Sequence, residues 1–122
     1  MKLRHVTVFT SKFEESIKFY SEIVGLTILQ DMRKVINRDL LFMGNAEGET
    51  MVELVGCEED QAYNGEGLNL GFIVDDAVSF REELQGKGFE VSPLISPNPF
   101  TKFFVTKDPN GLSVQFLSED AH

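Results

Sequence analysis

The chain has one cysteine, Cys57, no tryptophan and only two histidines, His5 and His122. A single thiol excludes an intrachain disulfide, and it excludes a zinc site built from the cysteines of one chain. With His122 at the very end, the body of the chain cannot supply two imidazoles to one metal. Basic residues are scarce as well: 11 against 20 acidic ones, a formal net charge of −9. Nucleic acid and anionic membrane both require a basic face, so neither is an expected partner, whereas a cationic or neutral small molecule is compatible. The apolar run after Lys2 and Arg4 breaks at Ser11-Lys12, too short for a signal segment, and no stretch approaches a membrane span. The expected location is therefore the cytoplasm.

What the chain does have is a repeat. Its first half opens with Leu3-Arg4-His5-Val6-Thr7-Val8-Phe9, passes through a helical stretch to Gly25-Leu26, and reaches Met51-Val52-Glu53-Leu54-Val55. Its second half opens with Leu68-Asn69-Leu70-Gly71-Phe72-Ile73-Val74, passes through a helical stretch to Gly86-Lys87-Gly88-Phe89, and reaches Leu112-Ser113-Val114-Gln115-Phe116-Leu117. Superposing the halves lays His5 over Asn69 and Glu53 over Gln115. A duplicated unit fixes the architecture before any single motif is weighed.

Local patterns fill in each half. Residues 3–10 alternate as a half-buried strand. Ser11 and Glu14 have capping-box spacing, and Phe13, Ile17, Tyr20 and Val24 follow at helical spacing up to Gly25. Strands are expected at 27–35, 39–44 and 50–56, with a turn at Asn37-Arg38-Asp39. An acidic linker, 57–67, separates the halves. The second half repeats the order: a strand at 68–74, then a helix capped by Asp75 or Asp76 with Ala77, Phe80 and Leu84 inward. Strands at 89–95, 101–107 and 112–117 follow. Pro97 and Pro99 interrupt, and Asp108-Pro109-Asn110-Gly111 reads as a tight turn. The expected fold is a single α+β domain over 1–122. It consists of two tandem βαβββ units, about 3–56 and 68–117, whose curved sheets surround a cleft.

The period of two sorts the strand residues into faces. Val6, Val8, Val52, Leu54, Leu70, Phe72, Val74, Val114 and Phe116 form an apolar face for the helices. The opposite face carries His5, Glu53, Asn69 and Gln115, four polar side chains in otherwise apolar strands, with Thr7 and Phe9 beside them.

In these residues the chain resembles the vicinal oxygen chelate superfamily of glyoxalases, bleomycin-resistance proteins and extradiol dioxygenases. The resemblance covers residues 3–118. Leu3-Arg4-His5-Val6, Phe19-Tyr20 before Gly25-Leu26, Glu53, Val74-Asp75-Asp76 and Asp108-Pro109-Asn110-Gly111 carry it. It implies metal ligands on the first and last strands of each unit, usually two His with one or two Glu. At the matching positions this chain has His5, Glu53, Asn69 and Gln115. The first half keeps an imidazole and a carboxylate, which makes His5 and Glu53 candidate ligands of an incomplete metal site. The second half offers only amides, which are weak neutral ligands for a dication. Extradiol dioxygenase chemistry is disfavoured.

The expected function is that of a glyoxalase/bleomycin-resistance-like protein binding a small organic ligand in its cleft. His5, Thr7, Phe9, Asn69 and Gln115 are the expected ligand-binding residues, and no cofactor is expected. The alternative is a metal-dependent, glyoxalase-like lyase or isomerase acting on a 2-oxo compound or thiol adduct. It would use nickel, zinc or manganese and Glu53 as the catalytic base. Unpaired sheet edges make a homodimer the expected assembly. Asp108 reads as turn chemistry and Cys57 shows no sign of activation.

Overall fold

The computed structural model describes residues 1–119, which fall into two compact units meeting at Asn64 and Gly65. In the first, β1 (His5–Thr10) leads to α1 (Phe13–Lys18), which continues as a π-helical turn, Phe19–Ile23. Then come β2 (Thr27–Asp31), a one-turn helix α2 (Arg33–Ile36), β3 (Leu40–Gly44) and β4 (Met51–Gly56). The second unit runs β5 (Asn69–Ile73), α3 (Ala77–Gly86), β6 (Ile95–Asn98), β7 (Thr101–Lys107) and β8 (Ser113–Glu119). Each unit builds an open four-stranded sheet, in the orders β1-β4-β3-β2 and β5-β8-β7-β6. In both, the first and last strands are parallel neighbours and the remaining pairings are antiparallel. The α+β fold and its duplication are thus as the repeat implies. His122 lies outside the described residues. Among those described, no helix is long and apolar enough to cross a membrane.

The alternation in the strands sets the core. Val8, Val52 and Leu54 turn inward in the first unit, with Leu41 and Met43 of β3 and Phe13, Phe19 and Tyr20 from the helix. The π-helical turn closes with Val24 N–H donating to Phe19 O, five residues back. Its wider turn lets the adjacent Phe19 and Tyr20 both enter the core, their rings edge to face at 5.2 Å. Gly25, at φ 86°, ends it in the left-handed conformation that suits glycine. In the second unit the phenyl rings of Phe104 and Phe116 share the core with Ala77, Leu84, Leu112 and Val114. Phe80 of α3 meets Phe116 of β8 edge to face at 4.9 Å, and Phe104 of β7 lies 5.6 Å from Phe116.

Three local expectations are corrected. The N-cap of α1 is Lys12 rather than Ser11, and it has no side-chain cap. The buried Thr10 fixes the entry to the helix without capping it: its Oγ1 accepts from the Lys12 backbone N–H at 2.8 Å and lies 3.2 Å from Ser16 Oγ. The strand expected over 27–35 stops at Asp31, because the Asp31 carboxylate accepts from the Arg33 backbone N–H at 3.1 Å and from its guanidinium at 2.6 Å. This folds the chain into α2, which ends at Asn37 with φ 53°. The same contact holds the Asp31 carboxyl down to about 2.

The strand expected over 89–95 forms later, as β6, and contains the Pro97 that should have interrupted it. Upstream, Ser92 N–H still donates to Val105 O at 2.9 Å, but the Ser92 carbonyl is taken by Arg81 Nε at 2.7 Å and the Val105 N–H goes to Ser92 Oγ at 2.9 Å, so the ladder is interrupted there. β6 is an edge strand, where proline's missing N–H is tolerated.

Asp76 is the N-cap of α3, its carboxylate accepting from Val78 N–H at 3.0 Å and Ser79 N–H at 3.3 Å. Asp76→Ala is expected to lower stability by about 1 kcal/mol, the usual worth of such a cap. Chemical denaturation with an unchanged m-value would register it. No change in midpoint would show that the helix does not depend on this cap.

Candidate functional site

β1 and β4 run side by side in parallel, with Thr7 opposite Glu53 and His5 opposite Met51. Residues in register share a face of the sheet, so His5, Thr7 and Glu53 project together. β3 adds Phe42, the antiparallel partner of Glu53. These three strands hold the site rigidly because their reverse sides are core: Val8 and Leu54 are buried beneath it.

The contacts form a chain. Thr7 Oγ1 donates to Glu53 Oε1 at 2.5 Å. His5 Nε2 faces the same oxygen at 3.5 Å. On its other side, His5 Nδ1 is 3.0 Å from the Nη1 of Arg4. The His5 ring meets Phe42 edge to face at 5.3 Å, and the Arg4 guanidinium carbon lies 4.8 Å from the centre of that ring. Phe42 is thus a buried platform that orients both the imidazole and the guanidinium. The Glu53 side chain is 13 % exposed and that of His5 31 %, so both are sheltered yet reachable. Glu53 Oε2 has no hydrogen-bond partner among the described residues.

Phe9 lies further along β1 on the same face and is exposed. Beyond Arg4, toward the start of the chain, an open cavity of about 720 Å³ is lined by Lys2, Arg4, Leu29, Gln30, Glu49 and Met51 among others. It lies within the first unit and shares Arg4 with the His5–Glu53 cluster.

The second unit carries the corresponding positions in a plainer form. Asn69 opens β5 opposite Ser113, and Gln115 of β8 stands opposite Gly71. Gly71 takes the place that Thr7 has in the first unit, so the hydroxyl that holds Glu53 has no counterpart beside Gln115. A Cβ at Gly71 would sit 3.4 Å from Gln115 Oε1, so the amide side chain leans over the glycine. Asn69 is exposed, and neither amide side chain has a hydrogen-bond partner among the described residues.

Of the expected site residues, the structure brings His5, Thr7 and Glu53 into one cluster, sets Phe9 along the same strand, and places Asn69 and Gln115 on β5 and β8. Sequence reasoning missed Arg4 and Phe42. Phe42 required the β3–β4 register, which alternation alone does not reveal. Arg4 precedes β1, and its turn back onto the next residue has no sequence signal.

The donor chemistry of this cluster bears on a metal. A divalent ion would need a lone pair from His5, but Nδ1 faces a guanidinium, which only donates, and that guanidinium is itself a fixed positive charge. Among the described residues no three of His, Cys, Asp and Glu gather closely enough to hold an ion. As placed, these side chains do not fit a divalent metal.

A model of the Glyoxalase/Bleomycin resistance protein/Dioxygenase superfamily matches residues 2–116. A lactoylglutathione lyase of Haemophilus influenzae is 25 % identical, over 96 % of this chain and 92 % of its own. Among solved structures, the trypanothione-dependent glyoxalase I of Leishmania major superposes with a TM-score of 0.79 at 20 % identity, covering 98 % of this chain and 87 % of its own. An antibiotic binding protein from Streptomyces sp. CB03234 superposes with a TM-score of 0.76 at 22 % identity, covering 98 % and 97 %.

Proposed function

The chain belongs to the Glyoxalase/Bleomycin resistance protein/Dioxygenase superfamily, and on that premise we propose that it binds a small organic ligand without a metal, on the face formed by His5, Thr7 and Glu53. The observation that supports this reading is the Glu53 carboxylate. Thr7 fixes one oxygen, the second is unpartnered among the described residues, and the whole group is sheltered on a sheet. A sheltered carboxylate with a spare acceptor favours a ligand that brings a donor or a positive charge. The net charge of −9 favours the same class. The antibiotic-binding neighbour makes cationic and neutral antibiotics the first compounds to test.

A second reading has its own support in the lactoylglutathione lyase relative: a metal-dependent lyase or isomerase with Glu53 as base and His5 as a ligand. Two measurements separate the readings. Thermal shift against bleomycin and related antibiotics should raise the melting temperature, since a ligand at a hundred times its Kd adds about 2.7 kcal/mol. Elemental analysis of protein purified without chelators should give well under one equivalent of nickel, zinc or manganese. One tightly held equivalent would reverse the choice in favour of the lyase.

A further inference from the structure

We infer that Arg4 is a specificity-determining residue. It fixes the tautomer of His5, so that the site offers a ring N–H beside the Glu53 carboxylate in place of a metal-binding lone pair. The inference deepens the metal-free reading of this face and rests on it.

A guanidinium has five N–H donors and no acceptor, and it stays protonated at any pH the protein tolerates. At 3.0 Å from Arg4 Nη1, His5 Nδ1 must therefore accept. A neutral imidazole carries one proton, which must then sit on Nε2. Nε2 is the nitrogen that faces Glu53 Oε1, at 3.5 Å. That distance is long for a hydrogen bond, and Nε2 has no closer partner among the described residues. A ring N–H thus stands beside a carboxylate, each with capacity left over. The pair suits a ligand carrying a carbonyl and an N–H or O–H side by side, as in a carboxamide or a hydroxy ketone.

The same arrangement opposes a metal. To bind an ion through Nε2, His5 would have to move its proton to Nδ1. Metal-bound imidazoles do this by donating that N–H to a carboxylate or carbonyl. Here the partner waiting at Nδ1 is a donor and a cation, so the metal-bound form would set an N–H against an N–H. Arg4 is held in that place by Phe42, whose ring it overlies at 4.8 Å. Phe42 also braces the His5 ring, at 5.3 Å.

Arg4→Glu reverses the logic. A carboxylate at this position accepts from Nδ1–H, frees the Nε2 lone pair and replaces a repelling charge with the kind of second partner that metal-binding histidines have. The residue is exposed, so the variant should fold. Nitrogen-15 NMR of the imidazole, recorded with the ring neutral, reads the tautomer directly. The unmodified protein should show Nε2 protonated and Nδ1 bare, and Arg4→Glu should shift the proton toward Nδ1. Titration with zinc or nickel chloride should show at least tenfold tighter binding in Arg4→Glu, and a smaller gain in Arg4→Ala, which removes the repulsion without supplying an acceptor.

The inference fails if His5 in the unmodified protein carries its proton on Nδ1, or if tautomer and zinc affinity are the same in all three proteins. In either case an unmodified protein without metal would leave the metal-free reading standing on other grounds. Stoichiometric metal bound through His5 in the unmodified protein would overturn both.

Discussion

Asp108→Ala is expected to cost about 2–4 kcal/mol of stability, given the penalty for depriving a buried amide of its acceptor and the strength of hydrogen bonds to a charged acceptor. Asp108 is only 5 % exposed and sits at the mouth of the turn between β7 and β8. Its Oδ1 accepts from Asn110 N–H at 2.7 Å and from the buried Leu112 N–H at 3.0 Å. Its backbone closes the turn on both sides, with Asp108 N–H donating to Leu112 O and Gly111 N–H donating to Asp108 O. Gly111 supplies the left-handed residue, at φ 80°. Truncation removes the carboxylate acceptor from the part-buried Asn110 amide and from the buried Leu112 amide, at the point where β8 enters the sheet between β5 and β7. Asp108→Asn keeps an oxygen at Oδ1 and should recover most of the loss. Equilibrium urea unfolding of the three proteins measures the difference. An alanine variant within 0.5 kcal/mol of the unmodified protein, roughly the effect of an ordinary surface change, would remove the turn account of this residue.

The same turn shows why some of this fold is legible in sequence. Asp-Pro-Asn-Gly specifies its geometry through groups close in sequence, so the residues suffice to read it. Asp76 is legible for the same reason, since its carboxylate reaches amides two and three residues on. The strands of the repeat are legible because the core side alternates: Val52 and Leu54, then Val114 and Phe116, are all buried.

Legibility ends where a distant group decides. Thr10 rather than Ser11 holds the entry to α1 because it lies inside, next to Ser16, and burial at that point depends on packing rather than on spacing. The ladder at Ser92 is interrupted by side chains: Arg81 takes its carbonyl from eleven residues back, and its own Oγ takes the Val105 N–H thirteen residues on. The site divides in the same manner. His5, Thr7 and Glu53 could be assigned to one face by alternation, but the register that sets Thr7 against Glu53 is a property of the paired sheet. Arg4 and Phe42, which decide what His5 can do, come into view only with that register and with the turn of Arg4 back over the ring.

Glu53→Ala is expected to weaken binding of whichever antibiotic most raises the melting temperature by about 10- to 100-fold, the range of one charge-assisted hydrogen bond at about 1.5–3 kcal/mol. Among the described residues the carboxylate is the only anionic group in the cluster with Thr7 and His5, so its loss removes the charge as well as the acceptor. Glu53→Gln separates the two effects: it keeps an oxygen for a neutral donor but not the charge. A cationic ligand should therefore lose nearly as much with glutamine as with alanine, and a neutral one clearly less. Thr7→Val should cost less than either, because it frees the carboxylate to move without removing it. Asp108→Asn, in the other unit, should leave affinity unchanged and serves as the control for general loosening. Calorimetric titration of the folded variants gives the comparison. If Glu53→Ala binds as well as the unmodified protein while Asp108→Asn does not, the ligand does not lie on the β1–β4 face, and the proposed site is wrong.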